Sequence, residues 1–267
     1  MASEHKMEWQ KAMQDEIDTL SRFHCFDVVP KAEALRHGRL VKSTWVFKLK
    51  MESDGILQRF KARLVAKGFT QQYGVDYDET YSPVFGYSSL RSILAKAANE
   101  DLQLTNRDLA SSFIQQKLDT DKLYMEPPAG YEKCLPDGRP AALHCKQSIY
   151  GLKQSSRLLH DRLSKHMKSL GFKQLISDKC VFVKGSGADI CIVATWVDDI
   201  IMANARENNL EREQFDKDLR KEFEMSPWTT GEADWLLNMT IKRDWARGTL
   251  HLSQPLAIEQ MAVKFGL

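Results

Sequence analysis

Five cysteines (Cys25, Cys134, Cys145, Cys180 and Cys191) lie scattered without a CxxC spacing, and their number is odd. A disulfide framework and a cysteine-based zinc site are therefore excluded as organising devices, and a reducing compartment is indicated. The seven histidines show no HExxH or comparable ligand spacing. No repeat, low-complexity tract or Pro/Gly/Ser-rich linker interrupts the chain, so 1–267 reads as one continuous structural unit. Long hydrophobic runs are also lacking: stretches such as 190–197 are far too short to cross a bilayer. The polar opening MASEHKMEWQ is unlike a secretory signal. These absences lead to the expectation of a soluble intracellular protein with no membrane partner. A single sign of charge is missing too. With 38 Lys and Arg against 36 Asp and Glu, the net charge is only +2. Any affinity for nucleic acid must come from where the basic residues sit.

What is present suffices for a sizeable core: 43% hydrophobic residues, with six Trp and twelve Phe. Trp9, Met13, Ile17 and Leu20 form one stripe and predict a helix over 4–22. Segments 43–50 and 56–67 flank Asp54-Gly55 and predict a hairpin. Ser88 is placed to cap a helix carrying Leu90, Ile93, Leu94 and Ala97. Leu102–Asp108 reads as a strand with a short helix after it, and 155–170 as a helix stopped by Gly171. Strands are predicted at 179–184, 190–196 and 200–203, with 197–199 as the tight turn between the last two. A helix over 207–223, a hairpin around Arg247-Gly248 and a final amphipathic stretch complete the series. Helices mixed with antiparallel strands, without steady strand–helix alternation, define an α+β fold class.

The segment Ile190-Cys-Ile-Val-Ala-Thr-Trp-Val-Asp198-Asp199-Ile-Ile-Met sets two carboxylates between apolar runs. Buried, unpaired carboxylates are costly, and a divalent cation with hard oxygen ligands relieves that cost. In isolation the dipeptide fits a solvated turn as well. Asp108, at the end of its own strand, adds a third acid. Two strand-borne acidic sites converging on one sheet face could hold two metal ions roughly 3.5–4 Å apart for in-line phosphoryl transfer. Arg59, Lys61, Arg63 and Lys67 recur at even spacing, as do Lys48 and Lys50 on the partner strand, so each set projects from one strand face. Such a face suits triphosphate and template backbone, and equally a solvated edge guarded by cations.

Over nearly its whole length, from Trp9 to Leu267, the sequence resembles the reverse transcriptases of copia-type LTR retrotransposons. The blocks that carry the resemblance are Trp45-Val-Phe-Lys48, Lys61-Ala-Arg-Leu-Val-Ala-Lys-Gly-Phe69 and Asp78-Glu-Thr-Tyr-Ser-Pro-Val84. They continue with Asp108…Phe113, Tyr124-Met…Pro127…Gly130-Tyr131 and Ser148-Ile-Tyr-Gly-Leu-Lys-Gln154, then Val197-Asp-Asp199 and Leu252-Ser-Gln254. The resemblance implies a right-hand polymerase: fingers, a palm with an antiparallel sheet and helices on one face, and a partial thumb. The approximate division is 1–86 and 120–154 for the fingers, 87–119 and 155–245 for the palm, and 246–267 for the start of the thumb. It implies that Asp108, Asp198 and Asp199 are the catalytic and metal-ligating carboxylates for two Mg²⁺ ions, with Mn²⁺ as an alternative. Phe113 matches the position whose ring rejects ribonucleotides. Tyr150, Gly151 and Lys153 belong to a segment that resembles the floor of the incoming-nucleotide pocket, and a structural loop would read much the same. Beside the triad the basic stripe favours nucleotide binding, with Lys61 and Arg63 as the expected triphosphate contacts. Implied partners are an RNA or DNA template with its primer and deoxynucleoside triphosphates. The implied location is cytoplasmic, with a virus-like particle or the nucleus as alternatives. The RNase H and integrase parts that accompany the family are absent from these residues.

Departures from the family pattern are Trp196 before Val-Asp-Asp, Ser155-Ser156 for the usual Ala-Pro, the nearby Trp missing from Arg157-Leu-Leu-His160, Arg107 before Asp108, and Asn238 for a Gly. None removes a carboxylate of the triad. They leave a second reading beside the polymerase, a catalytically silent nucleic-acid-binding relic. A metal-dependent phosphohydrolase would fit the carboxylates but not the other blocks.

Overall fold

Apolar periodicity and strand alternation build the elements one by one in a computed structural model that describes residues 5–51, 57–132, 134–226, 232–237 and 239–266. In chain order the first are α1 (Lys6–Arg22), β1 (Phe26–Pro30), α2 (Lys31–Ala34), β2 (Ser43–Met51), β3 (Leu57–Ala66) and α3 (Tyr87–Asn99). Next come β4 (Leu102–Asp108), β5 (Tyr124–Met125), β6 (Ala141–Cys145), α4 (Ser155–Ser169), β7 (Lys173–Gln174) and β8 (Val181–Lys184). The rest are β9 (Cys191–Trp196), β10 (Asp199–Ala205), α5 (Asn209–Glu222), β11 (Trp235–Leu236), β12 (Met239–Asp244), β13 (Thr249–Ser253) and α6 (Pro255–Phe265). The α+β class read from the sequence is the one observed. The chain divides into two compact units, each made of two stretches: Met1–Ser82 with Ser111–Arg162, and Pro83–Ala110 with Leu163–Leu267.

In the first unit β2 and β3 form a long antiparallel ladder in which Lys48 faces Lys61 and Lys50 faces Arg59. Its predicted Asp54-Gly55 turn lies outside the described residues. One face of the ladder takes α1: the Trp9 ring meets Phe47 and Phe60 edge-on at 5.1 and 4.7 Å. A second sheet, ordered β1-β6-β5, supplies Met125, Leu143 and Cys145 to a core shared with Leu20, Val41 and Leu64. The periodicity does not announce this sheet. β5 has two residues, and the partners lie far apart in sequence, so neither strand carries a long alternating run.

In the second unit a five-stranded antiparallel sheet runs β4-β10-β9-β8-β7. Leu90, Ile93 and Leu94 of α3 pack with Leu104, Ile201 and Ala203 in one cluster, joined by Leu236 and Ile241 of the β11-β12-β13 sheet. Strand alternation therefore puts Asp108 and Asp199 on that face. Arg107 and Asn204 point the other way, and α5 meets them there. Arg107 Nε donates to Asp216 at 2.6 Å, and Arg212 Nη1 donates to Asn204 at 3.1 Å. Ser88 turns out to lie inside α3. Gly86 is the N-cap residue, and its N–H donates to the Asp178 carboxylate at 3.0 Å, a cap drawn from far along the chain. Expected turn residue Asp199 instead opens β10, leaving Val197-Asp198 as a two-residue turn.

Candidate active site

The acidic centre is made by strand pairing. β4 and β10 run antiparallel in a register that sets Asp108 directly opposite Asp199, and Cα atoms of such pairs lie about 4.5–5.5 Å apart. Asp198 occupies the β9–β10 turn, where Val197 holds φ at 57°. A two-residue hairpin needs positive φ, and a β-branched residue reaches it only under strain. The backbone around Asp108 is held on both sides. Leu109 N–H donates to the Asp198 carbonyl at 3.0 Å, and Ser226 N–H donates to the Asp108 carbonyl at 2.9 Å. All three carboxylates are half-buried. Burial first, then the charges of Asp198 and Asp108, pushes the Asp199 carboxyl up from 3.8 to about 6. A group of acids so disposed favours a bound cation. Among the described residues no three His, Cys, Asp or Glu side chains close into a cage on their own. Magnesium in phosphoryl-transfer sites takes only one or two carboxylates and fills its shell with water and substrate phosphate, so the donor set fits.

The basic and aromatic residues lie in the other unit. Tyr150 is the junction: the Arg63 guanidinium sits 4.5 Å over its ring, and Phe113 meets it edge-on at 5.3 Å. Arg63, Tyr150 and Phe113 are thus brought together. Lys61 follows on the same strand face, and burial plus neighbouring Arg63, Arg59 and Lys50 lower its ammonium pKa. Like charges directly opposite each other destabilise a ladder, so a hairpin that keeps Lys48–Lys61 and Lys50–Arg59 is a surface that gains from an anion. The end of β3 and the turn at 150–151 touch backbone to backbone. Ala66 N–H donates to the Tyr150 carbonyl at 2.8 Å, and a Cβ on Gly151 (φ +87°) would stand 2.2 Å from the Ala66 oxygen. Lys153 is not part of the Tyr150 cluster. Its ammonium donates to the Tyr77 hydroxyl at 2.9 Å and lies over the Tyr77 ring.

Sequence reasoning passed over Glu16. It accepts the Leu64 N–H at 3.1 Å, and burial raises its pKa against the opposing pull of that bond, Arg63 and Lys61. The signal was available, because an acid at 16 falls beside the apolar stripe Ala12, Met13 and Leu20. Three departures from the family pattern are accommodated locally. Arg107 is paired with Asp216, Trp196 packs against the Phe85 and Tyr87 rings, and the Ser155 hydroxyl accepts from Ser148 and donates to the Ile149 carbonyl. Asn238 lies outside the described residues.

The family model for reverse transcriptase (RNA-dependent DNA polymerase) matches residues 24–267. The chain is 35% identical over 263 residues to the retrovirus-related Pol polyprotein of transposon TNT 1-94 from Nicotiana tabacum, covering 98% of this chain and 19% of that protein. With the Pol polyprotein of transposon RE1 from Arabidopsis thaliana it shares 37% over 196 residues, covering 73% of this chain and 13% of the relative. It therefore spans less than a fifth of these relatives. Among solved structures, a foamy viral protease–reverse transcriptase in complex with double-stranded DNA matches at a TM-score of 0.52 and 13% identity, over 94% of this chain and 36% of that one. At that identity the likeness speaks for the fold alone, and the fold is that of a polymerase. A family model spanning nine-tenths of the residues settles the rest: the chain belongs to the reverse transcriptases, as a copia-type domain of the kind carried by retrotransposon Pol polyproteins.

Proposed function

We propose that this domain is an active RNA-directed DNA polymerase, which adds deoxynucleotides to a primer 3′ end on an RNA or DNA template by two-metal-ion phosphoryl transfer. The observation that carries the reading is the register of β4 and β10, which pairs Asp108 with Asp199 beside Asp198. Two Mg²⁺ ions, or Mn²⁺ in their place, would be held by these carboxylates and would supply activation of the 3′ hydroxyl and charge neutralisation at the phosphates. The residues of the chain do the rest. Lys61 and Arg63 bind triphosphate oxygens by charge-assisted hydrogen bonds. Tyr150 and Gly151 form the pocket floor, and Lys153 adds a cation. The Phe113 ring, held against Tyr150, crowds the sugar 2′ position and rejects ribonucleotides. In this reading 1–86 and 120–154 are fingers, 87–119 and 155–245 palm, and 246–267 the start of the thumb.

Arg107, Trp196 and Ser155 each have satisfied surroundings, so none of the three obstructs the polymerase reading. A silent nucleic-acid-binding relic with the same fold is the second reading. Extension of a primer on a homopolymer template with Mg²⁺ or Mn²⁺ tests the proposal. Metal-dependent extension is expected. A folded protein that binds primer–template yet adds no nucleotide would transfer the assignment to the relic.

A further inference from the structure

We infer that Gln71 is a positioning residue, one that sets the turn at 150–154, and Lys153 above all, for the triphosphate of the incoming deoxynucleotide. The inference rests on the nucleotide-binding reading of that turn. Gln71 is 6% exposed and Gln154 is fully buried. The Gln71 Oε1 accepts the Lys153 backbone N–H at 2.8 Å, and its Nε2 donates to the Gln154 Oε1 at 3.0 Å. Gln154 Nε2 in turn donates to the Asp76 carbonyl at 2.8 Å. A backbone donor terminates this chain of amides at one end and a backbone acceptor at the other. Neither side chain can flip without setting oxygen against oxygen. The segment that carries Gln71 is itself fixed, since the Asp76 carboxylate accepts the Gln72 N–H at 2.7 Å. One residue beyond Asp76, Tyr77 takes the Lys153 ammonium. Residues 71–77 therefore hold Lys153 at both its backbone and its charged end.

An apolar pair of equal volume would fill the same space but would leave the part-buried Lys153 N–H without its side-chain acceptor. Two buried side-chain amides are expensive to desolvate. What they provide in return is a single geometry for the turn. Binding groups held to within a fraction of an ångström are what a phosphoryl-transfer pocket requires.

The test is a nucleotide titration at saturating primer–template for the wild type, Gln71→Met, Lys153→Ala and the double variant. Gln71→Met is expected to raise the nucleotide KM about tenfold, the size of one buried hydrogen bond lost. Its kcat and its Kd for primer–template should stay within about twofold, the scatter of non-interacting sites. In the Lys153→Ala background Gln71→Met should add less than about twofold, because the two act through one contact. An unchanged KM, equal losses in KM, kcat and duplex affinity, or a full independent effect beside Lys153→Ala would overturn the inference. So would failure of both Gln71→Met and Gln154→Met to fold, which would make the pair architectural. If the wild type extends no primer, the polymerase reading falls. Equilibrium binding of a fluorescent deoxynucleoside triphosphate to the same four proteins then still decides the role of Gln71.

Discussion

At Asp199 burial and two neighbouring carboxylates act in the same direction, and the carboxyl is pushed up to about 6. An acid whose folded pKa is raised stabilises the fold only where it is protonated. Its contribution is complete below 3.8 and is lost as pH rises through 6. In EDTA, Asp199→Asn should therefore match the wild type near pH 4 and exceed it above pH 6, by up to about 3 kcal/mol. Urea unfolding at several pH values measures this, and a constant difference across the range would deny the repulsion. Asp198→Asn should abolish nucleotide addition with the fold retained, since the amide keeps the shape and loses the charge. A variant that extends primer at the wild-type rate would remove Asp198 from the chemistry. Phe113→Val should raise ribonucleotide incorporation by opening the 2′ side. The ratio of deoxy- to ribonucleotide incorporation reads it, and an unchanged ratio would end the sugar-gate assignment.

Among elements, the β2–β3 hairpin was legible because cations at alternate positions on a strand leave a period of two. Its register added what periodicity leaves open, that Lys48 opposes Lys61 and Lys50 opposes Arg59, while Arg63 faces Val46. Lys61→Ala and Arg63→Ala should each raise the nucleotide KM about tenfold or more, as loss of a charge-assisted bond predicts. If duplex affinity falls instead and KM stays, the hairpin grips template. Gly151→Ala is expected to cost about 2–4 kcal/mol, combining positive-φ strain with a clash against the Ala66 backbone. Thermal melting would show it, and a melting point within a degree of wild type would mean that the contact yields. The β1-β6-β5 sheet was not legible, since its short strands meet only through long-range pairing.

For the whole molecule, each compact unit draws on two separated stretches of chain. The acidic centre shows the consequence, because β4 comes from one stretch of its unit and β9–β10 from the other. A fragment of 163–267 would keep Asp198 and Asp199 but lose β4, the strand that covers one edge of β10. Circular dichroism on that fragment should show no cooperative thermal transition. A sharp melt would mean that the sheet stands without its partner.

Local order in the sequence was enough to identify the acids, the cationic stripes, most helices and the family, because side-chain periodicity and ordered motif blocks are properties of the linear chain. It singled out Arg107, Trp196 and Ser155 as departures without revealing their partners. Asp216 and the Phe85 and Tyr87 rings become partners only once distant segments pack, and the Ser148 hydroxyl, seven residues from Ser155, only once the turn between them folds. The opposition of Asp108 to Asp199, the Arg63–Tyr150–Phe113 cluster and the Gln71–Gln154 amide chain arose in the same way. Strand register and burial depend on which surfaces meet in space, and residue spacing along the chain carries no record of that choice.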